Sequence, residues 1–430
     1  MNINNENVDK LCLLFSLESG LESEMVESES EMVESLNGEE RMWRFLAPHI
    51  KFGKNALEYL KDLDGKKAVI VTDPGVRKLG FADKVADFLK DAKIKSTIFD
   101  GVEADPSTEV VERGVKVLRE FQPDWIIALG GGSSMDTAKT MWILYERPDL
   151  TIEDLKAPVR VLGLRNKARL IAIPTTAGTG ADSTWAMVIT DSRTRTKMEF
   201  AFDEVIADVA ILDPELTYKL PKQITADTGL DALVHAFEGY TNLWKNDFCD
   251  GMGIWAIKLI FGYLPRAYSK GEEDKIAREK MINAATMAGL SFGNSQAGFC
   301  HSIGHSLGAL FHVPHGRAVA IALPYVIQFN AKKIPELYAD IAKAVGIPEF
   351  SRDTMIKRLI EKIKSLMKEL NEPLSIKELG IKREDFEKNL DGLIERAMKD
   401  SCTPANPRDV SKEECKKLYE YAYEGRDIDF

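Results

Sequence analysis

The stretch Trp125-Ile126-Ile127-Ala128-Leu129-Gly130-Gly131-Gly132-Ser133-Ser134-Met135-Asp136 runs from apolar residues through three glycines into a helical pattern that reaches Tyr145. A short apolar run, a glycine turn and an amphipathic stretch read as strand, tight turn and helix. The same grammar recurs on either side. Residues 68–72 end in Asp73-Pro74-Gly75, residues 94–99 form a further strand candidate, residues 170–173 lead into Pro174-Thr175-Thr176-Ala177-Gly178-Thr179, and residues 207–212 end at Asp213-Pro214. Strands alternating with helices predict an α/β unit built on a parallel sheet with helices on both faces. After Pro221 the strand signals fade, and helical patterns follow at 250–263, 272–291 and 354–370.

With 430 residues the chain exceeds one ordinary core. It divides into an arm at 1–41, an α/β nucleotide-binding domain at 42–220 and an all-α metal and substrate domain at 221–430. A cleft between the last two would bring a cofactor and a metal-bound substrate together. The net charge of −11 sits almost wholly in the arm, where the first forty residues carry eleven acids against Lys10 alone. Ser23-Glu24-Met25-Val26-Glu27-Ser28 recurs as Ser30-Glu31-Met32-Val33-Glu34-Ser35. Two such copies are too few for a coiled coil, and so dense a run of like charge reads as a solvated, disordered arm. The remaining chain is near neutral with no basic stripe, which excludes nucleic acid as a partner. No apolar run spans a bilayer, and the acids ahead of residues 11–17 are wrong for a secretory leader. Five scattered cysteines without a Cys-x-x-Cys pair predict reduced thiols and a cytoplasmic location.

The glycine turn suits a phosphate, because small residues let the backbone approach an anion at a helix N-terminus. Ser133 and Asp136 are spaced for a capping box. Met135 stands where the dinucleotide fingerprint would place a third glycine. Asp73 ends the first strong strand. It fits an acid on a ribose 2′-hydroxyl, and it fits equally a β-turn in Asp-Pro-Gly.

Six histidines occur in the chain, four of them between 301 and 315. Asp231 and His235 are four apart, as are His301 and His305, so each pair shares one helix face. His315 follows Pro314 at a helix start. Asp231, His235, His301 and His315 make a mononuclear metal site, with Asp227, His305 and His312 as competing donors. A four-donor shell that still admits substrate favours Fe2+, Mn2+ or an expanded Zn2+.

Four motifs in order, Gly130-Gly-Gly-Ser133-x2-Asp136-x2-Lys139, Pro174-Thr-Thr-x-Gly-Thr179, Thr228-Gly229-x-Asp231-Ala-Leu-x-His235-Ala-x-Glu238 and His301-x3-His305-x5-Phe311-His-x-Pro314-His315-Gly316, resemble the iron-containing (group III) alcohol dehydrogenases. Cys402-Thr-Pro-Ala-Asn-Pro-Arg408 is similar to that family's ending. The resemblance spans roughly 45–425. It implies a dehydroquinate synthase-like fold and metal-dependent hydride transfer between a primary alcohol or aldehyde and NAD, with NADP possible. It implies Asp231, His235, His301 and His315 as ligands of Fe2+, or of Zn2+ or another divalent metal. Gly132 and Ser133 would hold the pyrophosphate, Thr175, Thr176, Thr179, Thr184 and Lys197 would line the cofactor, and Gly131 and Asp136 would also belong to the cofactor site. Asp73 would sit at the adenine ribose, and His305 in the substrate pocket as a proton shuttle titrating near neutrality. Phe248, Phe292 and Cys402 would line the pocket. Asp182, Trp185 and Ala186 depart from the family pattern, and Trp185 bears on the substrate. A homodimer or larger homo-oligomer is expected. The competing functions are a glycerol-dehydrogenase-like polyol enzyme, a dehydroquinate-synthase-type lyase, for which Arg317 stands without the expected basic cluster, and a non-catalytic sensor or filament protein.

Overall fold

The structure, a computed structural model, describes residues 44–156, 162–193 and 196–430; the arm expected at 1–41 lies outside them. A six-stranded sheet is formed by β1 (His49–Phe52), β2 (Lys67–Val71), β3 (Lys95–Phe99), β4 (Trp125–Gly130), β5 (Arg169–Pro174) and β8 (Val209–Leu212). The spatial order is β1-β8-β5-β4-β2-β3, and every pairing is parallel. Five of the strands follow the sequence expectation to within two residues. β1 was not expected, because four residues flanked by Pro48 and Gly53 are too few for periodicity to register.

Helices α1 (Pro74–Lys78), α2 (Phe81–Asp91), α3 (Thr108–Phe121) and α4 (Gly132–Glu146) connect the strands. Alternate side chains of one strand enter different cores, as the two-residue period demands. Ala68, Ile70, Ile127, Leu129, Ile171 and Ile173 pack with α2, while Val69, Val71, Ile126, Ala128, Leu170 and Ala172 pack with α3 and α4. The sheet is thus buried on both faces, which is why its strands read as near-continuous apolar runs.

Between β5 and β8 the chain makes an antiparallel pair, β6 (Ala186–Thr190) with β7 (Lys197–Ala201). The sequence reading missed this hairpin. β7 carries Lys197 and Glu199 among its apolar residues and has no continuous apolar run; β6 has one, Ala186–Ile189, but no helix follows it to complete the strand–helix alternation.

The chain from Lys222 onward is helical: α5 (Lys222–Thr241), α6 (Asp247–Lys270), α7 (Lys275–Gly293), α8 (Phe299–Phe311), α9 (His315–Asn330), α10 (Pro335–Ala344), α11 (Arg352–Glu369), α12 (Arg383–Lys399) and α13 (Lys412–Glu424). α7 begins three residues later than expected because Asp274 caps it, accepting the Ala277 N–H at 3.0 Å. α5 packs against α6, α7 and α9 within one large apolar core. Among the described residues no helix is long and apolar enough to cross a membrane.

Candidate metal and nucleotide site

The chain leaves β2 for β3 on one side and places β4 on the other, so the strand order reverses between β2 and β4. Open α/β sheets bind ligands in the crevice at the carboxyl ends of such strands. Asp73 follows β2 and the glycine turn follows β4. Gly130 has φ +153°, and a Cβ there would lie 2.3 Å from Ser134 Oγ and 3.4 Å from Asp73 Oδ2. Only glycine fits that contact. Asp73 Oδ1 accepts the Gly75 and Val76 N–H groups at 2.8 and 3.0 Å, so it caps α1 and still faces the crevice.

The capping box expected from Ser133 and Asp136 does not form. α4 starts one residue earlier, with Gly131 at its N-cap and no side chain bonded to its first N–H groups. Ser134 and Met135 donate back to the Gly131 carbonyl at 3.1 and 3.2 Å, which leaves the N–H groups of Gly132 and Ser133 to meet an anion. Asp136 turns inward instead, and its Oδ2 accepts the Val188 N–H at 3.0 Å. Thr176 and Thr179 approach the turn closely: Cβ atoms on Gly131 and Gly132 would lie 3.5 and 3.1 Å from their methyl carbons. Thr175 donates its N–H to Gly130 O at 2.9 Å. Thr184 is buried, and its carbonyl accepts from Lys139 Nζ at 2.7 Å. Lys197, on β7, pairs with Asp105 at 2.8 Å.

The turn after β5 connects this crevice to the helical half. Gly178 approaches Thr228 so closely that a Cβ would sit 2.4 Å from the threonine Cβ. Its backbone is also hydrogen-bonded to His235. Phe292 stacks on His235 with centroids 4.0 Å apart and planes at 9°.

Asp231, His235 and Glu238 share one face of α5, and His301 and His305 one face of α8. His312 closes α8 with φ +55°, a left-handed cap, and the chain then enters α9 at His315. Its backbone thus turns the chain toward the cluster. One donor atom from each of Asp231, His235, His301 and His315 lies within 4.8 Å of the others. Asp227, His305 and His312 are not in that group.

Asp231 Oδ1 is 4.0 Å from His301 Nε2 and 3.4 Å from His315 Nε2, and Asp231 Oδ2 is 3.9 Å from His235 Nδ1. The 3.9 and 4.0 Å separations are too long for hydrogen bonds. Two donors about 2.1 Å from one ion at the tetrahedral angle lie about 3.4 Å apart, so the spacing suits a shared cation. Asp231 Oδ1, His235 Nδ1 and His301 Nε2 are three of the six buried side-chain atoms without a partner among the described residues. An unpaired buried polar atom costs roughly 1–3 kcal/mol, so three converging on one point fit a metal.

Burial pushes the Asp231 carboxyl up to about 7, against the pull of His301 and His305. Burial likewise holds His235 well below its usual value, as an imidazole ligand requires. His315 is 41% exposed and marks the open side.

Behind the cluster, Glu238 Oε2 pairs with His301 Nδ1 and Oε1 accepts the Cys300 N–H at 2.6 Å. That bond fixes the ring with Nε2 toward Asp231, the arrangement in which a carboxylate orients a metal-binding histidine. Glu238 belongs to the α5 motif, but the motif alone does not show this role. Its place seven residues after Asp231, on the same helix face, was the available signal.

His305 differs from expectation. Burial lowers it, but Asp400, 2.8 Å from Nδ1, and Glu199, at 3.7 Å, more than reverse the effect and raise it to about 9. The two carboxylates thus make it hold its proton more tightly than a free imidazole does. Asp400 is 95 residues away in sequence, and nothing local signalled it. His305, Asp400 and Cys402 also lie within 4.8 Å of one another. Both Asp400 oxygens and His305 Nδ1 already have protein partners, so this group lacks the unpaired donors of the first. Cys402 is buried beside it. Phe248, expected in the pocket, is 67% exposed and packs on Phe45 at 5.5 Å. Trp185 donates its indole N–H to the Gly293 carbonyl, tying the start of the hairpin to the end of α7.

A switch-point crevice for a dinucleotide, abutting a buried carboxylate–imidazole cluster, defines a metal-dependent nicotinamide oxidoreductase. Comparison with known proteins narrows the class. Residues 47–214 match the family model for iron-containing alcohol dehydrogenase, and residues 225–423 match that for the C-terminal part of the Fe-containing alcohol dehydrogenase family. An NADPH-dependent butanol dehydrogenase of Clostridium saccharobutylicum is 45% identical over 90% of this chain and all of its own. The bifunctional aldehyde-alcohol dehydrogenase of Escherichia coli K12 is 38% identical over 90% of this chain, which spans only 47% of that longer protein. A 1,3-propanediol oxidoreductase structure superposes with TM-score 0.84 at 34% identity, over 89% of this chain and all of that one. The chain belongs to the iron-containing alcohol dehydrogenase family. It is a metal-dependent alcohol dehydrogenase or aldehyde reductase that exchanges hydride with NAD(P), and neither the polyol nor the lyase alternative is favoured.

Proposed function

We propose that Asp231, His235, His301 and His315 hold Fe2+ in this enzyme and that the crevice from Asp73 to Thr184 holds the nicotinamide cofactor. The observation that carries this reading is the convergence of three unpaired buried donors on one point. A divalent cation there supplies Lewis acidity to an alcohol or aldehyde oxygen, and the nicotinamide supplies or takes the hydride. The chain's own residues do the rest. The N–H groups at the start of α4 bind the pyrophosphate, Thr175, Thr176 and Thr179 line the approach to the nicotinamide, and His305 exchanges a proton with the substrate oxygen. Phe292 and Trp185 shield the site from water. His235→Ala protein is expected to lose bound metal and NAD(P)H turnover together; metal-free His235→Ala with full activity would sink the reading.

The substrate proposed is a short primary alcohol and its aldehyde, supported by the butanol and propanediol named for two relatives. NAD is proposed over NADP, because a 2′-phosphate would meet the Asp73 carboxylate. The butanol dehydrogenase named as NADPH-dependent pulls the other way, and kcat/KM measured with both cofactors decides. A homodimer, cytoplasmic residence and the division at 42–220 and 221–430 complete the proposal. The cytoplasmic assignment is supported by free thiols at Cys249, Cys300, Cys402 and Cys415.

A further inference from the structure

Asp400, just past the end of α12, has a side chain only 9% exposed and both carboxylate oxygens committed. Oδ2 faces His305 Nδ1 at 2.8 Å. Oδ1 accepts the Ser302 hydroxyl at 3.1 Å and the Cys402 N–H at 3.0 Å. Thr403 Oγ1 lies 2.8 Å from Ser302 Oγ and backs that contact. Ser302 and His305 are three apart on α8, so one carboxylate grips the same helix face at two points. It cannot rotate without giving up bonds to both. From the other domain, Glu199 on β7 accepts the Ser401 hydroxyl at 2.6 Å and stands 3.7 Å from His305 Nδ1. The hairpin is thereby tied to the loop that carries the carboxylate.

We propose that Asp400 is the positioning residue of His305: it fixes the imidazole with Nδ1–H as donor, leaving Nε2 as the atom that exchanges a proton with the substrate oxygen. The inference rests on the reading of His305 as the proton-handling residue. Ser302 and the Cys402 N–H hold the carboxylate, and Ser401 with Glu199 holds the loop against the nucleotide-binding half. An asparagine at 400 would keep an acceptor for Ser302 and Cys402 but could turn an amide N–H toward His305. The ring would then have to present Nδ1 as acceptor and carry its proton on Nε2 in the neutral state.

The test is a cycle of Asp400→Asn, His305→Ala and the double variant in metal-loaded enzyme, with kcat, KM and metal content measured for each. Asp400→Asn is expected to lower kcat about 10²- to 10⁴-fold, with KM for the alcohol within a few-fold and metal content unchanged. In the His305→Ala background it should cost nothing further. Asp400→Asn with wild-type kcat overturns the proposal. A double variant far slower than His305→Ala also overturns it, because the carboxylate would then act on the fold. Wild-type kcat in His305→Ala removes the reading of His305 itself, a distinguishable failure. If Asp400→Asn does not fold, Ser302→Ala takes its place. It frees one carboxylate contact and should lower kcat several-fold, again only when His305 is present.

Discussion

Gly316 and Asp227 meet backbone to backbone: a Cβ on Gly316 would lie 2.0 Å from the Asp227 carbonyl oxygen and 3.2 Å from Asp231 Cβ. The start of α9 is therefore pressed against α5 one turn before Asp231, and this contact brings His315 to the cluster. Gly316→Ala cannot be absorbed by a side-chain rotation, since the first obstacle is backbone. The helix start must move outward and take His315 with it. The expected result is a melting temperature lower by several degrees, with overpacking costing about 1–3 kcal/mol, and metal affinity reduced at least tenfold. Titration with a competing chelator measures the affinity; unchanged affinity would show that His315 does not depend on this contact.

Glu238 should matter for metal rather than for folding alone. Glu238→Gln keeps an oxygen for the Cys300 N–H, but its amide cannot match the charged acceptor at His301 Nδ1. The imidazole becomes a weaker and less firmly oriented donor. Metal affinity is expected to fall about 10- to 100-fold, with circular dichroism unchanged. Retention of the metal at wild-type chelator concentrations would count against the orienting role.

How far the sequence carried the reading depends on whether the deciding contacts were local. The parallel sheet, the glycine turn and the Asp231–His235 and His301–His305 pairs all follow from spacing within one element, and the structure brings the four proposed ligands together. What the sequence concealed was long-range. Asp400 reaches His305 across 95 residues, and Val188 captures Asp136 across 52, which dissolves the expected capping box. β1 was hidden as a four-residue edge strand and β7 by its Lys197 and Glu199, while β6 has an apolar run, Ala186–Ile189, with no helix after it to mark a strand–helix unit. The choice among seven candidate donors also needed three dimensions. One-turn spacing made Asp227 and His305 as eligible as Asp231 and His301, and only packing separates them.

Asp136 gives a pH signature. Burial raises its carboxyl, and although Lys139, the Val188 N–H and Lys197 pull it back, it rests at about 6 rather than 3.8. A raised folded value favours folding in acid: the contribution is complete below about 3.8 and is lost as pH rises through about 6. The shift sets a ceiling of about 3 kcal/mol. Asp136→Asn lacks this titration but can still accept from Val188. The stability of the wild type relative to the variant should therefore decline between pH 5 and pH 7.5. Melting temperatures of both proteins at the two pH values test it, and a difference that stays constant or widens toward pH 7.5 contradicts the assignment.

Lys139 ties α4 to the segment that leads into the hairpin. Its side chain is fully buried; Nζ donates to the Thr184 carbonyl at 2.7 Å and the Ala186 carbonyl at 3.2 Å, and Asp136 and Asp182 stabilise its charge. Lys139→Met keeps the length and apolar stem but removes the cation, leaving two carbonyls and two buried carboxyls without it. Breaking a buried charge arrangement on one side costs about 3–5 kcal/mol, so a clear drop in melting temperature is expected. The sharper consequence is functional. Thr184 and Ala186 lose their anchor at the proposed nicotinamide end of the crevice, while Asp231, His235, His301 and His315 keep theirs. The dissociation constant for the cofactor should rise while metal content stays at the wild-type level. A variant that binds cofactor normally, or one that sheds its metal, would show that Lys139 supports the fold as a whole rather than the wall of the crevice.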